Sequence, residues 1–459
     1  MPAVDPYARR LLAVVLLSVV SFSSSMTIVT TALGRIAEDL DSSASTLSWG
    51  VSGLFLAMGI GTPVLGKLGD VRGHRPVFLL GAAVIVTGTV ACGLAWSPAS
   101  FVAARVVVGA GMAAAMPNGM ALVLASVEPS ARPRILGWFQ MVMVGVPTLA
   151  LIAGGPMVDA FGWRSVFALL APVAATGLVA SLVVVRPGAR QAGVRIDWLG
   201  AALLGLGVLA ALLGLEAFSR GLGAAVGGGL LALAAVSIAG FVRVERRIAV
   251  PLIALDYFRI PEFTGSICAN GMAQFAYIGG FVVAPLLLQE RFGLSVGASA
   301  LLLLARPASM SVCSPIGGRL GQRFGERPMV LVGAAGLAAG CAVLVAAALT
   351  EQTWLVPIAL VLSGGAVGLA QPSYGTAVAR SVDPGDLGVA NGMSSTLVNL
   401  GMLSGIQAMF AVLGDGDSAG RYAAAFAVAG AVAVASVPFG LMMGRAGRVR
   451  LPVAGAASA

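Results

Sequence analysis

Two arginines lie inside long apolar stretches of the chain, where a charge is expensive. An arginine at the centre of a membrane span costs about 2.5–3.5 kcal/mol on insertion scales and is usually retained for function. Arg306 lies about ten residues into its stretch, or roughly 15 Å, which is near the midplane. It could instead bond a backbone oxygen freed by Pro307, and Arg105, close to the start of its stretch, could snorkel to the interface. We predict that Arg306 lines a substrate path, whereas the position of Arg105 alone leaves both interpretations open.

Uncharged polar residues inside apolar stretches are the second group of candidates. Such side chains are costly in lipid and tend to face the interior of a helical bundle, where each could bind a ligand or a neighbouring helix. No Asp or Glu lies deep in a stretch, so a cavity with the two arginines would favour anions or neutral acceptors over organic cations. The candidates are Ser24, Ser25, Asn118, Gln140, Asn270, Gln274, Tyr277, Gln371, Tyr374, Asn391 and Asn399.

The composition requires a lipid environment. The 459 residues are 58% hydrophobic and 10% charged, with a mean hydropathy of +0.96, whereas soluble domains carry roughly 25% charged residues. The net charge of +9 comes from short clusters between apolar stretches, which argues against nucleic acid. Lys67, the one lysine, precedes Leu68 and cannot belong to a phosphate-binding loop. The four cysteines lack metal spacing, so we expect no cofactor and no metal.

Fourteen apolar stretches are long enough to cross a bilayer as helices. An even number places both termini on one side, and that side then carries nearly all basic residues outside the spans, as expected for cytoplasm. Only Arg35, Arg164, Arg220, Arg291 and Arg421 fall on the other side. The predicted spans are near 11–33, 47–66, 77–96, 101–125, 137–157, 166–185, 198–217, 224–242, 263–287, 297–317, 329–349, 354–378, 389–412 and 422–443.

An internal repeat divides the chain into two halves. The segment GKLGDVRGHRP at 66–76 recurs as GRLGQRFGERP at 318–328, each time between the second and third span of its half. Spans 198–217 and 224–242 lie between the halves. Parallel repeats of this kind place a binding site at their interface. The loops could pair charges across the halves, or they could be ordinary turns obeying the positive-inside rule.

Several motifs extend over essentially the whole chain. They are Gly66 to Arg75, Arg105 with Gly109 and Gly111, Thr27-Ile28-Val29 with Ala32-Leu33, Gly162-Trp163-Arg164 with Phe167, and Asp197-Trp198-Leu199-Gly200. Taken together, these motifs resemble the major facilitator superfamily, specifically its fourteen-helix drug/proton antiporter branch.

The resemblance implies roles for particular residues. Arg105 would act in substrate or proton coupling, and the repeated loops would latch one state of an alternating-access cycle. Two features depart from the branch: Ser25 stands where it usually has an acid, and Gly154-Gly155 lacks the usual Gly-Pro before it. The latch residues would be Gly66, Asp70, Arg72, Gly73, Arg75, Gly318, Arg323, Gly325 and Arg327.

The sequence therefore predicts an all-α integral membrane protein of the major facilitator fold and not an enzyme. We expect a six-helix bundle over 1–190, two additional helices over 191–250, and a second six-helix bundle over 251–459. The expected function is export of small organic molecules driven by protons, by a monomer in the cell membrane, surrounded by lipid. The alternatives are a permease for anionic metabolites, a lipid or hydrophobic-molecule transporter, and a non-transporting sensor.

Overall fold

A computed structural model describes residues 6–128, 132–186, 198–219, 222–248, 255–382, 387–414 and 418–444. These ranges consist of helices joined by short turns. The α-helices are α1 (Pro6–Thr31), α2 (Leu33–Asp39), α3 (Ala44–Arg72), α4 (His74–Gly93), α5 (Pro98–Ala125), α6 (Arg132–Phe161), α7 (Arg164–Val184), α8 (Trp198–Ser219), α9 (Ala224–Glu245), α10 (Pro261–Leu286), α11 (Val296–Leu303), α12 (Ala305–Phe324), α13 (Glu326–Thr350), α14 (Leu355–Ser381), α15 (Leu387–Leu413), α16 (Ala419–Ala435) and α17 (Val437–Met442). A 3₁₀ turn at Leu255–Arg259 and a π-helical turn at Leu287–Arg291 complete the described elements.

Each of the fourteen predicted spans corresponds to one helix or to a consecutive pair. Among the described residues, 13 spans are long and apolar enough to cross a membrane. The remaining one is α8, which has 22 residues and contains the apolar stretch Trp198–Gly214. At 1.5 Å per residue α8 can cross a hydrocarbon core of about 30 Å. The chain is thus a multi-pass membrane protein.

Two predicted spans are broken helices. The span predicted at 297–317 consists of α11 and α12, which meet at Leu304, and the last span consists of α16 and α17, which meet at Ser436. A proline follows each break, Pro307 and Pro438. Proline has no N–H and its ring clashes with the carbonyl one turn earlier, so these breaks have a local cause.

The spans form two six-helix bundles plus two further helices. In the first bundle α1 packs on α6 and α7, and α5 packs on α3 and α4. In the second, α10 packs on α15, and α14 packs on α12 and α13. Helices α8 and α9 pack on each other, and α8 contacts α3 and α15 where the bundles meet.

Glycines allow close crossings between helices of the second bundle. A Cβ on Gly401 would lie 2.1 Å from the carbonyl oxygen of Gly271, and one on Gly405 would lie 2.2 Å from that of Phe275. The spacing of Gly401 and Gly405 predicts such packing, and the structure confirms it. The spacing of Gly388 and Gly392 predicts close packing as well, and this prediction is wrong at Gly392, because no atom of the described residues lies within 4 Å of a Cβ placed there.

The bundle has two ends that the following sections distinguish. We define the basic face as the end where α3 meets α4 and α12 meets α13. We define the opposite face as the end where α6 meets α7 and the π-helical turn meets α11. Asp39 at the opposite face accepts hydrogen bonds from Trp163 Nε1, at 3.0 Å, and from the Arg164 guanidinium. The pKa of Asp39 lies below its usual value, chiefly because of the hydrogen bond from Arg164 and secondly because of the one from Trp163.

Candidate functional site

The two bundles are joined at the opposite face by contacts between α6 and α11. The Asp159 carboxylate, at the end of α6, accepts hydrogen bonds from the backbone N–H of Val296 at 3.2 Å and of Gly297 at 2.7 Å. These N–H groups begin α11 and have no partner within their own helix. A Cβ on Gly155 would lie 2.7 Å from Ala300 Cβ and 2.9 Å from Gly297 Cα. An acidic helix cap and a glycine contact therefore close this face.

The π-helical turn adds further bonds at the same face. Gln289 Nε2 donates to the carbonyl oxygen of Thr31 in the first bundle, at 2.7 Å. Its two following residues bind within the second bundle: Glu290 accepts from the Tyr422 hydroxyl at 2.5 Å, and Arg291 pairs with Glu351. π-Helical turns inside α-helices are frequent at functional sites. Three consecutive side chains thus fix the end of α10 to three other elements.

Arg105 is buried in the first bundle and is directed inward. Its exposed fraction is 0%, so it does not snorkel. Nη1 donates to Ser25 Oγ at 3.2 Å, and Nε donates to the carbonyl oxygen of Gly50 at 3.3 Å. Nη2 has no partner among the described residues. The hydroxyl of Ser25, where the resemblance implies an acid, is a neutral partner and leaves the arginine charge uncompensated.

Arg306 occupies the corresponding interior of the second bundle. Only 1% of the residue is exposed, and its guanidinium carbon lies 3.9 Å from the centroid of the Tyr277 ring and 5.7 Å from that of Phe281. Nε and Nη1 have no hydrogen-bond partner in the described ranges. The alternative in which Arg306 bonds a freed backbone oxygen is therefore not what the structure shows for these two nitrogens.

Polar residues of α10 form a stripe on the side of Arg306. Asn270, Gln274, Tyr277 and Phe281 follow each other at helical spacing and so share one face. Gln274 Nε2 lies 3.4 Å from Gln371 Oε1 of α14. The Oδ1 atom of Asn270 is buried and unpaired in the described part of the chain. The structure thus brings Asn270, Gln274, Tyr277, Gln371 and Arg306 onto three packed helices.

Asn118 lies elsewhere and binds the turn between α3 and α4. Its Nδ2 donates to the carbonyl oxygens of Leu65, at 3.0 Å, and Ala114, at 2.8 Å. Its Oδ1 lies 2.8 Å from His74 Nδ1. A Cβ on Gly69 would lie 1.6 Å from that oxygen, so the glycine makes room for this bond. Asn118 therefore connects the helix of Arg105 to the basic face.

The remaining polar candidates are distributed among several helices. Ser24 is buried in α1. Tyr374 is buried, and its carbonyl oxygen accepts a hydrogen bond from Ser266 Oγ at 2.9 Å, which ties α14 to α10. Asn391 is exposed near the beginning of α15. The side chain of Gln140 lies outside the described residues.

The two repeated loops have the same backbone form. Gly73 between α3 and α4 has φ 94°, and Gly325 between α12 and α13 has φ 89°. Both values lie in a region that favours glycine. The two copies of the repeat therefore build equivalent helix junctions at the basic face.

Two described arginines of these loops contact groups of their own bundles. Arg75 donates to the carbonyl oxygens of Val185, at 2.7 Å, and Leu182, at 3.3 Å, at the end of α7. The Arg323 guanidinium lies 5.1 Å from the Phe324 ring. The side chain of Asp70 lies outside the described residues. The remaining latch candidates are Gly66 and Gly318, which lie within the last two turns of α3 and α12, exposed Arg72, and half-buried Arg327.

Sequence reasoning missed three residues that the structure places at this site. They are Asp159, Gln289 and Phe281, and none of them was singled out from the sequence. The Asp159 bonds join residues 137 and 138 positions apart, which a local pattern cannot reveal. Phe281 follows Tyr277 by one helical turn on the stripe of α10, and that spacing could have identified it.

Comparison with known proteins agrees with this architecture. A family model described as Major Facilitator Superfamily matches residues 14–196 and 266–457. The chain belongs to the Major Facilitator Superfamily. The matched segments omit 197–265, which contains α8 and α9. The two additional helices of this superfamily member thus lie between the halves that the family shares.

Relatives within the superfamily include named resistance proteins. The chain is 32% identical over 395 residues to the tetracenomycin C resistance and export protein of Streptomyces glaucescens, covering 85% of this chain and 73% of the relative. It is 30% identical over 393 residues to the methylenomycin A resistance protein of Streptomyces coelicolor, with coverages of 84% and 82%. A crystal structure of a mutant peptide transporter POT with alafosfalin has a TM-score of 0.70, 15% identity and 95% coverage of both chains, which shows the shared fold. Proteins of this superfamily transport small molecules, often with proton coupling.

Proposed function

We propose that this protein exports small organic molecules from the cell by alternating access, as a proton-driven transporter rather than an enzyme. The observation that carries the proposal is the closure of the opposite face between α6 and α11, while each bundle retains a buried arginine with at least one nitrogen that has no partner among the described residues. Two bundles that contact each other, here through α6 and α11 and through α3 and α15, and that enclose polar groups are what a rocking transporter requires. The resistance and export functions in the names of the relatives support the direction.

The proposed topology places the basic face and both termini in the cytoplasm. The excess of arginine between spans on this face is the pattern that retains loops on the cytoplasmic side. A cysteine introduced between Arg243 and Arg259 should then react with membrane-impermeant maleimide only in inverted vesicles. Ready labelling in intact cells would contradict the topology.

The proposed units are 1–190, 191–250 and 251–459, acting as a monomer in contact with membrane lipids. The cavity residues and the loops at the basic face keep the roles predicted from sequence. Substrate and coupling are assigned to the arginines and polar residues, and latching to the repeated loops. The latch role is supported by the similar backbone conformation of the two helix junctions, at Gly73 and at Gly325.

The charge of the interior bears on which molecules are carried. Arg105 and Arg306 are buried without a carboxylate partner in the described chain. A site of positive potential disfavours organic cations and favours anions or neutral molecules with acceptor groups. This observation also favours a second candidate function, a permease for anionic metabolites.

Proteoliposomes can test export and separate the two functions. Vesicles with an acidic interior should accumulate the neutral tracer naphthamide against its gradient, and nigericin, which dissipates the pH difference, should abolish the accumulation. Protein-free liposomes provide the background. Accumulation that ignores the pH difference would contradict proton-driven export, and uptake of naphthoate that does not depend on the pH difference would favour the anion permease.

A further inference from the structure

Arg306 is a fixed positive charge that the described part of the chain leaves unbalanced. The residue is 1% exposed, and Nε and Nη1 lack a partner within the described chain. Guanidinium groups keep their charge in proteins. The ion pairs that the structure describes all involve other arginines. The second bundle thus contains a buried cation with unused hydrogen-bond donors.

The surrounding contacts support the face of the guanidinium but do not hydrogen-bond its edge. The Tyr277 ring stacks on the face at 3.9 Å, and Phe281 lies at 5.7 Å. A cation–π contact recovers part of the cost of burying the charge, but it does not satisfy the N–H groups, which lie in the guanidinium plane. The donors therefore require an acceptor in that plane.

Backbone packing holds the arginine in place. A Cβ on Gly364 of α14 would lie 2.2 Å from the carbonyl oxygen of Arg306, so α12 and α14 are in direct contact at this level. A Cβ on Gly280 of α10 would lie 3.9 Å from Nη2. A side chain at 280 would therefore contact that nitrogen, which places Gly280 beside the guanidinium. Arg306 is thus held where α10, α12 and α14 lie close together.

We propose that Arg306, Tyr277 and Phe281 form a subsite for an organic anion, namely a carboxylate or phenolate carried on an apolar aromatic body. This inference rests on the proposed transport function and names the substrate class. The anionic oxygen accepts hydrogen bonds from the in-plane N–H groups of Arg306, as carboxylates do in bidentate pairs. The aromatic body packs against Phe281 and against Met310, whose sulfur accepts from the Tyr277 hydroxyl at 3.5 Å.

A matched pair of probes isolates the contribution of charge. Naphthoate and naphthamide share one ring system and differ in the anionic group. Binding of each to the purified full chain is measured by isothermal titration calorimetry, which does not depend on transport. The variant Arg306→Met removes the charge while keeping an unbranched side chain that can contact Tyr277. Arg319→Met, at an exposed position of the same helix, is the matched control.

The expected result is a preference of the wild type for naphthoate by about tenfold or more, comparable to one charged hydrogen bond. Arg306→Met abolishes the preference, and Arg319→Met keeps it. Arg306→Lys, which retains charge but not the planar fork, keeps a smaller preference. If Arg306→Met fails to fold, the reduced preference of Arg306→Lys tests the subsite in its place.

A second measurement distinguishes a binding role from a structural one. Removing an unpaired buried charge raises the unfolding temperature of the ligand-free protein, whereas removing a structural arginine lowers it. Equal binding of the two probes by the wild type, no binding of either, or a preference that survives Arg306→Met overturns the subsite. Loss of pH-driven accumulation with the preference intact would instead contradict the proposed function alone.

Discussion

Substitution of Gly155 by alanine should shift the protein toward states that are open at the opposite face. The added Cβ would lie 2.7 Å from Ala300 Cβ, whereas carbon atoms in contact prefer roughly 3.5–4.0 Å. Relief requires α6 and α11 to separate by about 1 Å, and overpacking of this kind costs roughly 1–3 kcal/mol. Because the contact exists only when this face is closed, the cost falls on the closed state. The ratio of closed to open molecules should fall by about 5–150-fold.

Cross-linking across the opposite face can measure this shift. A Cβ on Gly34 of α2 would lie 3.4 Å from Leu286 Cδ2 of α10, so cysteines at these two positions join the bundles through a short bifunctional thiol reagent. The background replaces the four native cysteines, Cys92, Cys268, Cys313 and Cys341. Adding Gly155→Ala should reduce the cross-linked fraction severalfold.

A control on the same helix separates the contact from a change in helix propensity. No atom of the described residues lies within 4 Å of a Cβ on Gly145, so Gly145→Ala should leave cross-linking unchanged. Both variants gain the same intrinsic helix stability, about 1 kcal/mol. Equal cross-linking in Gly155→Ala and Gly145→Ala would show that the α6–α11 contact does not hold this face closed.

Three further perturbations address the cap, the acid contact and the repeated loop. Asp159→Ala removes the cap of α11 and should destabilise the closed state by about 0.5–2 kcal/mol, which lowers the cross-linked fraction. The control Ser295→Ala removes a cap that comes from within the second bundle. It should lower the unfolding temperature without changing the cross-linked fraction. The lowered pKa of Asp39 adds stability that is present above the unfolded pKa of 3.8 and is lost as the pH falls through the folded pKa. The contribution is at most about 1 kcal/mol, because the pair is half-exposed. Asp39→Asn should abolish the corresponding drop in unfolding temperature at acidic pH. Gly73→Ala should destabilise by about 1–3 kcal/mol because φ is 94° there, while Gly66→Ala, with 3.8 Å to the nearest atom, should be tolerated in the same thermal assay.

The membrane spans could be predicted from the sequence because each apolar stretch can be recognised independently of the others. About twenty apolar residues in succession cross a bilayer as a helix whatever lies beside them. The break at Leu304 was not predicted, although Pro307 is visible in the sequence, because proline can also kink a continuous membrane helix. The short helix α2 was also missed, since its seven residues follow directly on the first apolar stretch.

The candidate site was predictable only where its residues share one helix. Asn270, Gln274 and Tyr277 lie on one face by spacing alone. The bond from Arg105 to Ser25 joins residues 80 positions apart, and the stacking of Arg306 on Tyr277 depends on how α12 crosses α10. Asn118 was predicted to line the cavity, but it is committed to the α3–α4 turn. A polar residue inside a span indicates an interior partner without indicating which one.

The π-helical turn at Leu287–Arg291 sets a length constraint on the chain. Its wider turn contains one residue more than a regular helix would, and this registers Gln289, Glu290 and Arg291 onto three different neighbours. Deleting a single residue here would rewind the helix and rotate every later side chain by about 100°, the angle per residue at 3.6 residues per turn. Changes in chain length should therefore be tolerated least at this turn, which makes it a fixed reference point for any grafted or shortened version of the protein.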